Sequence, residues 1–102
     1  MQVYAITAEN IQTQVLSGSK PVLLDFYAPW CGPCNLLHPV LEDIAVQRPD
    51  IRVGKINTDT EQTLATRYKV FQIPTLLVIR NGVEEKRIVG ARSKEELLAL
   101  FA

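Results

Sequence analysis

Val22-Leu23-Leu24-Asp25-Phe26-Tyr27-Ala28-Pro29-Trp30-Cys31-Gly32-Pro33-Cys34 is the stretch on which the reading of this chain turns. Its first seven residues are apolar on both faces of an extended strand except at Asp25, the pattern of a strand in mid-sheet with both sides covered. Pro29 ends the strand, and both cysteines of the protein follow directly. In helical geometry residues i and i+3 have Cα atoms about 5 Å apart, inside the roughly 4.4–6.8 Å that a disulfide spans. A Cys-x-x-Cys opening a helix therefore passes between dithiol and disulfide with little backbone movement, as a reversible two-electron carrier requires. A permanent structural disulfide or half of a zinc site fits the same spacing. Zinc needs about four N or S ligands, whereas the chain has two Cys and one His, so no metal site is expected.

With 102 residues one domain is expected, 1–102, burying somewhat more than about 60% of its extended-chain surface. A composition 47% hydrophobic and 22% charged is that of an ordinary globular protein. Eleven basic residues balance eleven acidic ones, which argues against a nucleic-acid partner. Met1-Gln2-Val3-Tyr4-Ala5-Ile6-Thr7 has no basic segment followed by an apolar one, and no apolar run approaches the ~20 residues of a membrane span. The expectation is a cytoplasmic protein without a membrane partner. In a reducing compartment two cysteines point to redox work more than to a staple.

Outward from the central stretch, Val3-Tyr4-Ala5-Ile6 reads as a first strand. Thr7 is placed to cap a helix over 8–17, with Ile11 and Val15 four apart. The helix opened by the cysteines is expected to run from about Cys31 to Gln47, with Leu36, Leu37, Val40, Leu41, Ile44 and Ala45 on its apolar stripe. Pro39 lies inside it and predicts one kinked helix. Residues 51–57 form a strand. Thr58 and Glu61 have capping-box spacing for a short helix through about Tyr68. Thr75–Arg80 is a strand, and Asn81-Gly82 turns it back as a hairpin over 83–89. Ser93 and Glu96 form a second capping box, opening a last helix with Leu97, Leu98 and Phe101 on one face. The order β-α-β-α-β-α-β-β-α implies a mixed five-stranded sheet with helices on both faces.

Asp25-Phe26-Tyr27-Ala28-Pro29-Trp30-Cys31-Gly32-Pro33-Cys34, with Pro39, Lys55, Asp59, Ile73-Pro74-Thr75, Asn81-Gly82 and Gly90 at matching spacings, resembles the thioredoxin family over essentially the whole chain. The resemblance implies the thioredoxin fold: an α/β protein in three α/β/α layers, with four helices around a mixed five-stranded central sheet. It also implies a protein-disulfide oxidoreductase that acts as an electron carrier. It would donate electrons to disulfide-containing client proteins and be re-reduced by a flavoprotein thioredoxin reductase. No cofactor is implied beyond the redox-active Cys31–Cys34 pair, and a monomer is expected.

Roles follow on these residues. Cys31, at a helix start whose free N–H groups and dipole favour an anion, is expected to be the attacking thiolate; thioredoxin is itself a familiar instance of a Cys-x-x-Cys thiol lowered in this way. Cys34, one turn further in and more buried, resolves the mixed disulfide. Asp25 is costly to bury ionised, so its pKa should be raised; the resemblance makes it the acid–base partner of Cys34. The plainer reading is a carboxyl satisfied by backbone or by Lys55, which the family places nearby. By resemblance Pro74 follows a cis bond that exposes the Ile73 backbone to an extended client, a form of β-augmentation; an ordinary turn proline is the plainer reading. Trp30, either a core aromatic or a docking residue, is expected to be partly exposed. Gly32 admits a close partner, Pro33 stiffens the loop, and Gly90 belongs to the client-facing rim.

Five places depart from the family pattern. Tyr27 stands where Trp is frequent, and Asn35 where a cation usually follows the second cysteine. His38 lies on the helical stripe of Cys31 and Cys34; it is expected to be a partly exposed surface histidine, with sensing of pH at the site as the alternative. Lys69-Val70-Phe71-Gln72 carries side chains where glycines are frequent, and Arg92 adds a cation nearby, so partner choice is expected to differ while the chemistry does not. Two competing functions are a thiol oxidase or isomerase, disfavoured by Gly32-Pro33, and a binding module that clamps a partner without turnover.

Overall fold

A computed structural model describes residues 2–102; Met1, at the amino terminus read above, lies outside them. Strands β1 (Val3–Ala5), β2 (Val22–Tyr27), β3 (Arg52–Asn57), β4 (Thr75–Arg80) and β5 (Val83–Val89) form one sheet in the order β1-β3-β2-β4-β5. β1, β3 and β2 run parallel, while β4 is antiparallel to β2 and β5 to β4. The stretch singled out above is therefore central: β2 pairs with β3 on one side and β4 on the other.

Alternation along β2 divides the core. Val22, Leu24 and Phe26 face a layer that includes Ile11, Val15 and Leu64. Leu23 faces Leu37, Leu41 and Ile44 of helix α1 (Gly32–Gln47) and Leu97 of helix α3 (Lys94–Ala99). Residues i and i+2 of a strand share a face, so Asp25 and Tyr27 point the same way as Leu23, under α1.

The expected mixed sheet and its layers are present, with four corrections in detail. The helix expected over 8–17 is instead a turn followed by a π-helical segment, Gln12–Leu16. Both the N–H and the hydroxyl of Ser17 bond the Gln12 carbonyl. Thr7 contributes its carbonyl, which accepts from Asn10 and Ile11, while the Asn10 carboxamide oxygen accepts from the Thr7 N–H. The Thr58–Glu61 capping box does not form. The Thr58 hydroxyl donates to the Tyr27 carbonyl, and Glu61 accepts from the Ala8 N–H. Helix α2 (Gln62–Arg67) consequently starts without a side-chain cap; longer-range partners took both groups.

The third correction is Leu36, which is 79% exposed, so the stripe of α1 that meets the sheet is Leu37, Leu41, Ile44 and Ala45. The fourth is Val40, which is only partly buried against that core. α1 itself continues through Pro39 as one helix. The second capping box, Ser93 with Glu96, is closed by reciprocal bonds. Asn81 and Gly82 take φ of 54° and 77°, the left-handed pair that a tight hairpin turn requires.

Replacing fully buried Leu41 by Ala should cost about 2–5 kcal/mol in urea unfolding. Leu36→Ala should change stability by less than about 0.5 kcal/mol. Equal losses for the two would contradict this orientation of α1.

Candidate active site

The chain leaves β2 at Tyr27, and the Cys31 N–H closes a turn on the Ala28 carbonyl at 3.1 Å. Cys31 is the N-cap of α1 in extended conformation, and Gly32-Pro33 make its first turn. A proline there gives up an N–H that the helix leaves without an internal partner. The Cys34 N–H points back at the Cys31 sulfur, 3.3 Å away. Cys31 and Cys34 are joined as a disulfide with Cα atoms 5.3 Å apart, in line with the helical spacing. Cys34 is wholly buried while Cys31 is 5% exposed, so the two sulfurs differ in access and in polar surroundings.

The predicted rim residues gather around this pair. Ala28 is buried with the cysteines, and Tyr27 and Ile73 pack against them. The Ile73–Pro74 peptide bond is cis, as the resemblance implies. Gly90, at φ 96°, donates its N–H to the Pro74 carbonyl at 2.7 Å; this left-handed conformation is one that glycine adopts at little cost. Trp30 is 73% exposed, which excludes the core-aromatic reading, and its indole N–H donates to the Asp59 carboxylate at 3.1 Å. Gly32 and Pro33 are exposed. Phe71 projects into solvent, 88% exposed, and Arg92 is exposed with a guanidinium bond to the Ala91 carbonyl.

Two residues before Tyr27, on the same face of β2, lies Asp25. Its neighbours across the sheet are Lys55 on β3 and Leu76 on β4. It is fully buried, and neither carboxylate oxygen has a hydrogen-bond partner. The plainer expectation, a carboxyl satisfied by backbone or by Lys55, is therefore not met. Desolvation pushes its pKa up to about 7, with the Lys55 charge pulling the other way. Lys55 is half-buried, its ammonium 5.8 Å from the centre of the Tyr27 ring.

His38 is partly exposed, as expected, with 28% of its side chain open to solvent, but its inner edge turns toward Asp25. Its Nε2 is buried without a hydrogen-bond partner, 3.9 Å from Asp25 Oδ2. The ring meets Tyr27 edge-on, centroids 4.9 Å apart. Burial pulls the imidazole below its ordinary value, Lys55 adding to that and Glu42 opposing it. The signal was present in the spacing: His38 lies one turn beyond Cys34, on the face of α1 that covers β2. Asp59, quoted in the motif without a role, makes the other contact not anticipated, accepting from the Trp30 indole N–H.

Among the described residues no group of three or more His, Cys, Asp or Glu side chains is arranged to hold a metal ion, and no helix is long and apolar enough to cross a membrane.

A fold with a Cys-x-x-Cys at the helix start after a central strand defines a class of disulfide oxidoreductases. Comparison makes this specific. The thioredoxin family model matches residues 2–102. A thioredoxin of Mycobacterium tuberculosis is 48% identical over 94 residues, covering 91% of this chain and 81% of that protein. A thioredoxin of Mycolicibacterium smegmatis is 46% identical over 97 residues, 92% of this chain and 87% of that protein. A bifunctional thioredoxin reductase/thioredoxin of Mycobacterium leprae is 46% identical over 94 residues, 91% of this chain and 20% of that protein. The chain belongs to the thioredoxin family. It is a disulfide oxidoreductase whose Cys31–Cys34 pair carries out dithiol–disulfide exchange.

A buried carboxyl with a raised pKa binds a proton more tightly in the folded than in the unfolded chain. The stability it contributes is complete below about pH 4 and is lost as pH rises toward and through 7. Between pH 4 and 8 the oxidised protein should lose roughly 4 kcal/mol relative to Asp25→Asn, at about 1.4 kcal/mol per pH unit over a window from 3.8 to about 7. Denaturant unfolding of both proteins across this range checks it, and a constant difference would refute the raised pKa.

Proposed function

We propose that this protein is a general protein-disulfide reductase, one domain acting as a monomer in the cytoplasm, in which Cys31 attacks and Cys34 resolves. The observation that carries the assignment is the asymmetry of the two sulfurs. Cys31 is slightly exposed, at 5% against none for Cys34, stands at the helix start, and receives the Cys34 N–H. A thiolate there is stabilised by that donor and by the helix dipole.

Each turnover balances. The Cys31 thiolate attacks one sulfur of a client disulfide, forming a mixed disulfide and releasing the other client sulfur as thiolate. Cys34 passes its proton to the Asp25 carboxylate and attacks the Cys31 sulfur. The Cys31–Cys34 bond forms as the second client thiolate leaves, so two electrons pass to the client. Asp25 is suited to the proton step because an acid near pH 7 exchanges in either direction. Lys55 tunes it, its cation favouring the ionised carboxyl.

Clients dock on the rim of Trp30, Gly32, Pro33, Ile73, Pro74 and Gly90. Exposed Trp30 offers a broad apolar contact, and the Ile73 main chain pairs with an extended client segment, which makes recognition tolerant of sequence. A flavoprotein thioredoxin reductase returns the pair to dithiol, a reading supported by the reductase fused to the Mycobacterium leprae relative. Phe71, Gln72 and Arg92 border this rim and adjust partner choice.

Insulin reduction with dithiothreitol tests the assignment. Cys31→Ser should lower the rate by at least about 100-fold, the scale on which loss of a nucleophile is felt. Cys34→Ser should still attack and accumulate the mixed disulfide, visible as added mass under non-reducing conditions. Trapping by Cys31→Ser in place of Cys34→Ser would reverse the roles.

A further inference from the structure

A carboxyl that takes a proton from Cys34 must release it before the next cycle, and Asp25 is fully buried. The groups around it show one way out. A cavity of about 510 Å³, open to solvent, lies between α1 and the β1–β3 side of the sheet, lined by His38, Leu41, Glu42, Val46 and Lys55 among others. His38 stands between this cavity and Asp25. Its Nε2 is buried and faces the carboxyl at 3.9 Å, while the side chain as a whole is 28% exposed. Neither Nε2 nor the two Asp25 oxygens have another hydrogen-bond partner. Three unpartnered buried polar atoms at one contact are unusual, because each forgoes the hydrogen bonds it had in water. Groups that exchange a proton with each other explain them together.

We propose that His38 is the proton port of this site, carrying the proton that Asp25 takes from Cys34 out to the cavity and carrying one back when the disulfide is reduced again. The proposal rests on the role given above to Asp25, through which His38 acts.

The steps balance. Before client reduction His38 is neutral, with its proton on Nδ1 and Nε2 free to accept. The Asp25 carboxyl gives its proton to Nε2, and the imidazolium loses the Nδ1 proton to water in the cavity. His38 is left neutral with the proton on Nε2. In the reverse half-cycle, Asp25 first takes the Nε2 proton while Nδ1 gains one from the cavity, and then protonates the departing Cys34 thiolate. The two half-reactions thus reset the tautomer for each other without a ring flip. The 3.9 Å gap exceeds a hydrogen bond by less than about 1 Å, and χ2 of histidine, a soft torsion, closes it by tilting the ring.

The charges facing His38 suit the task. Asp25 and Tyr27 face it from β2, Lys55 from β3 and Glu42 from its own helix. Lys55 disfavours a lasting imidazolium and Glu42 favours it. Burial and Lys55 hold the imidazole below its ordinary value of 6.5, so an imidazolium formed there readily gives a proton up to the cavity.

The test is continuous reduction of saturating insulin with dithiothreitol as electron source, in which every cycle must empty Asp25 again, followed by the loss of intact insulin. His38→Leu fills the position without a titrating group and should slow the reaction about 10-fold near neutral pH. That is less than the roughly 100-fold lower bound for direct acid–base catalysis, because His38 acts one transfer away. In an Asp25→Ala background His38→Leu should add no further loss. His38→Ala should be accelerated by added imidazole, which the wild type is not. An unchanged rate for His38→Leu, an equal loss in the Asp25→Ala background, or imidazole acting alike on His38→Ala and wild type would overturn the proposal. If His38→Leu does not fold, the imidazole response of His38→Ala decides alone. An Asp25→Ala rate equal to wild type would instead sink the role of Asp25, and a wild type inert toward insulin the reductase reading itself.

Discussion

The structure depends on a carboxyl group placed where a carboxyl group is costly. Asp25 lies in the middle of β2, with strands hydrogen-bonded on both sides and α1 laid over its face. An unpaired carboxylate there loses its hydration with nothing to replace it, so the group becomes a weak acid near neutral pH. Much of the surrounding architecture is what makes this possible. The central strand supplies the burial, and its exit at Pro29 delivers both cysteines to the next helix start. The same helix returns one turn later to put His38 against the carboxyl. Folding thus carries one constraint: a carboxyl that weakens the core sits on the strand that leads into the cysteine motif.

The strand pattern and the cysteine spacing were legible because each rests on short-range geometry. Two greasy faces on 22–28 mark a central strand, and Asn81-Gly82 marks a hairpin, whatever the rest of the chain does. Asp25 stood out for the same reason, as the one charge in an apolar strand. The rim was legible only through the family resemblance, since nothing in Ile73-Pro74 or Gly90 announces that they meet.

What was misread depended on contacts across the fold. Thr58 and Glu61 have the spacing of a capping box, but the Tyr27 carbonyl and the Ala8 N–H claim their side chains. Leu36 fits a helical stripe until the sheet selects which part of that stripe it covers. The partial exposure of His38 was legible, but the approach of its Nε2 to Asp25 was not. Its meaning came from the strand beneath it, and position along one helix cannot supply that.

Asp25 is a buried, unpartnered acid poised near neutrality beneath α1. Its most direct measurement is the 13C chemical shift of the Asp25 side-chain carboxyl in the oxidised protein, followed by NMR from pH 3 to 9 and assigned with Asp25→Asn. The account predicts one titration with a midpoint near 7. A midpoint near 3.8, the ordinary aspartate value, would contradict it.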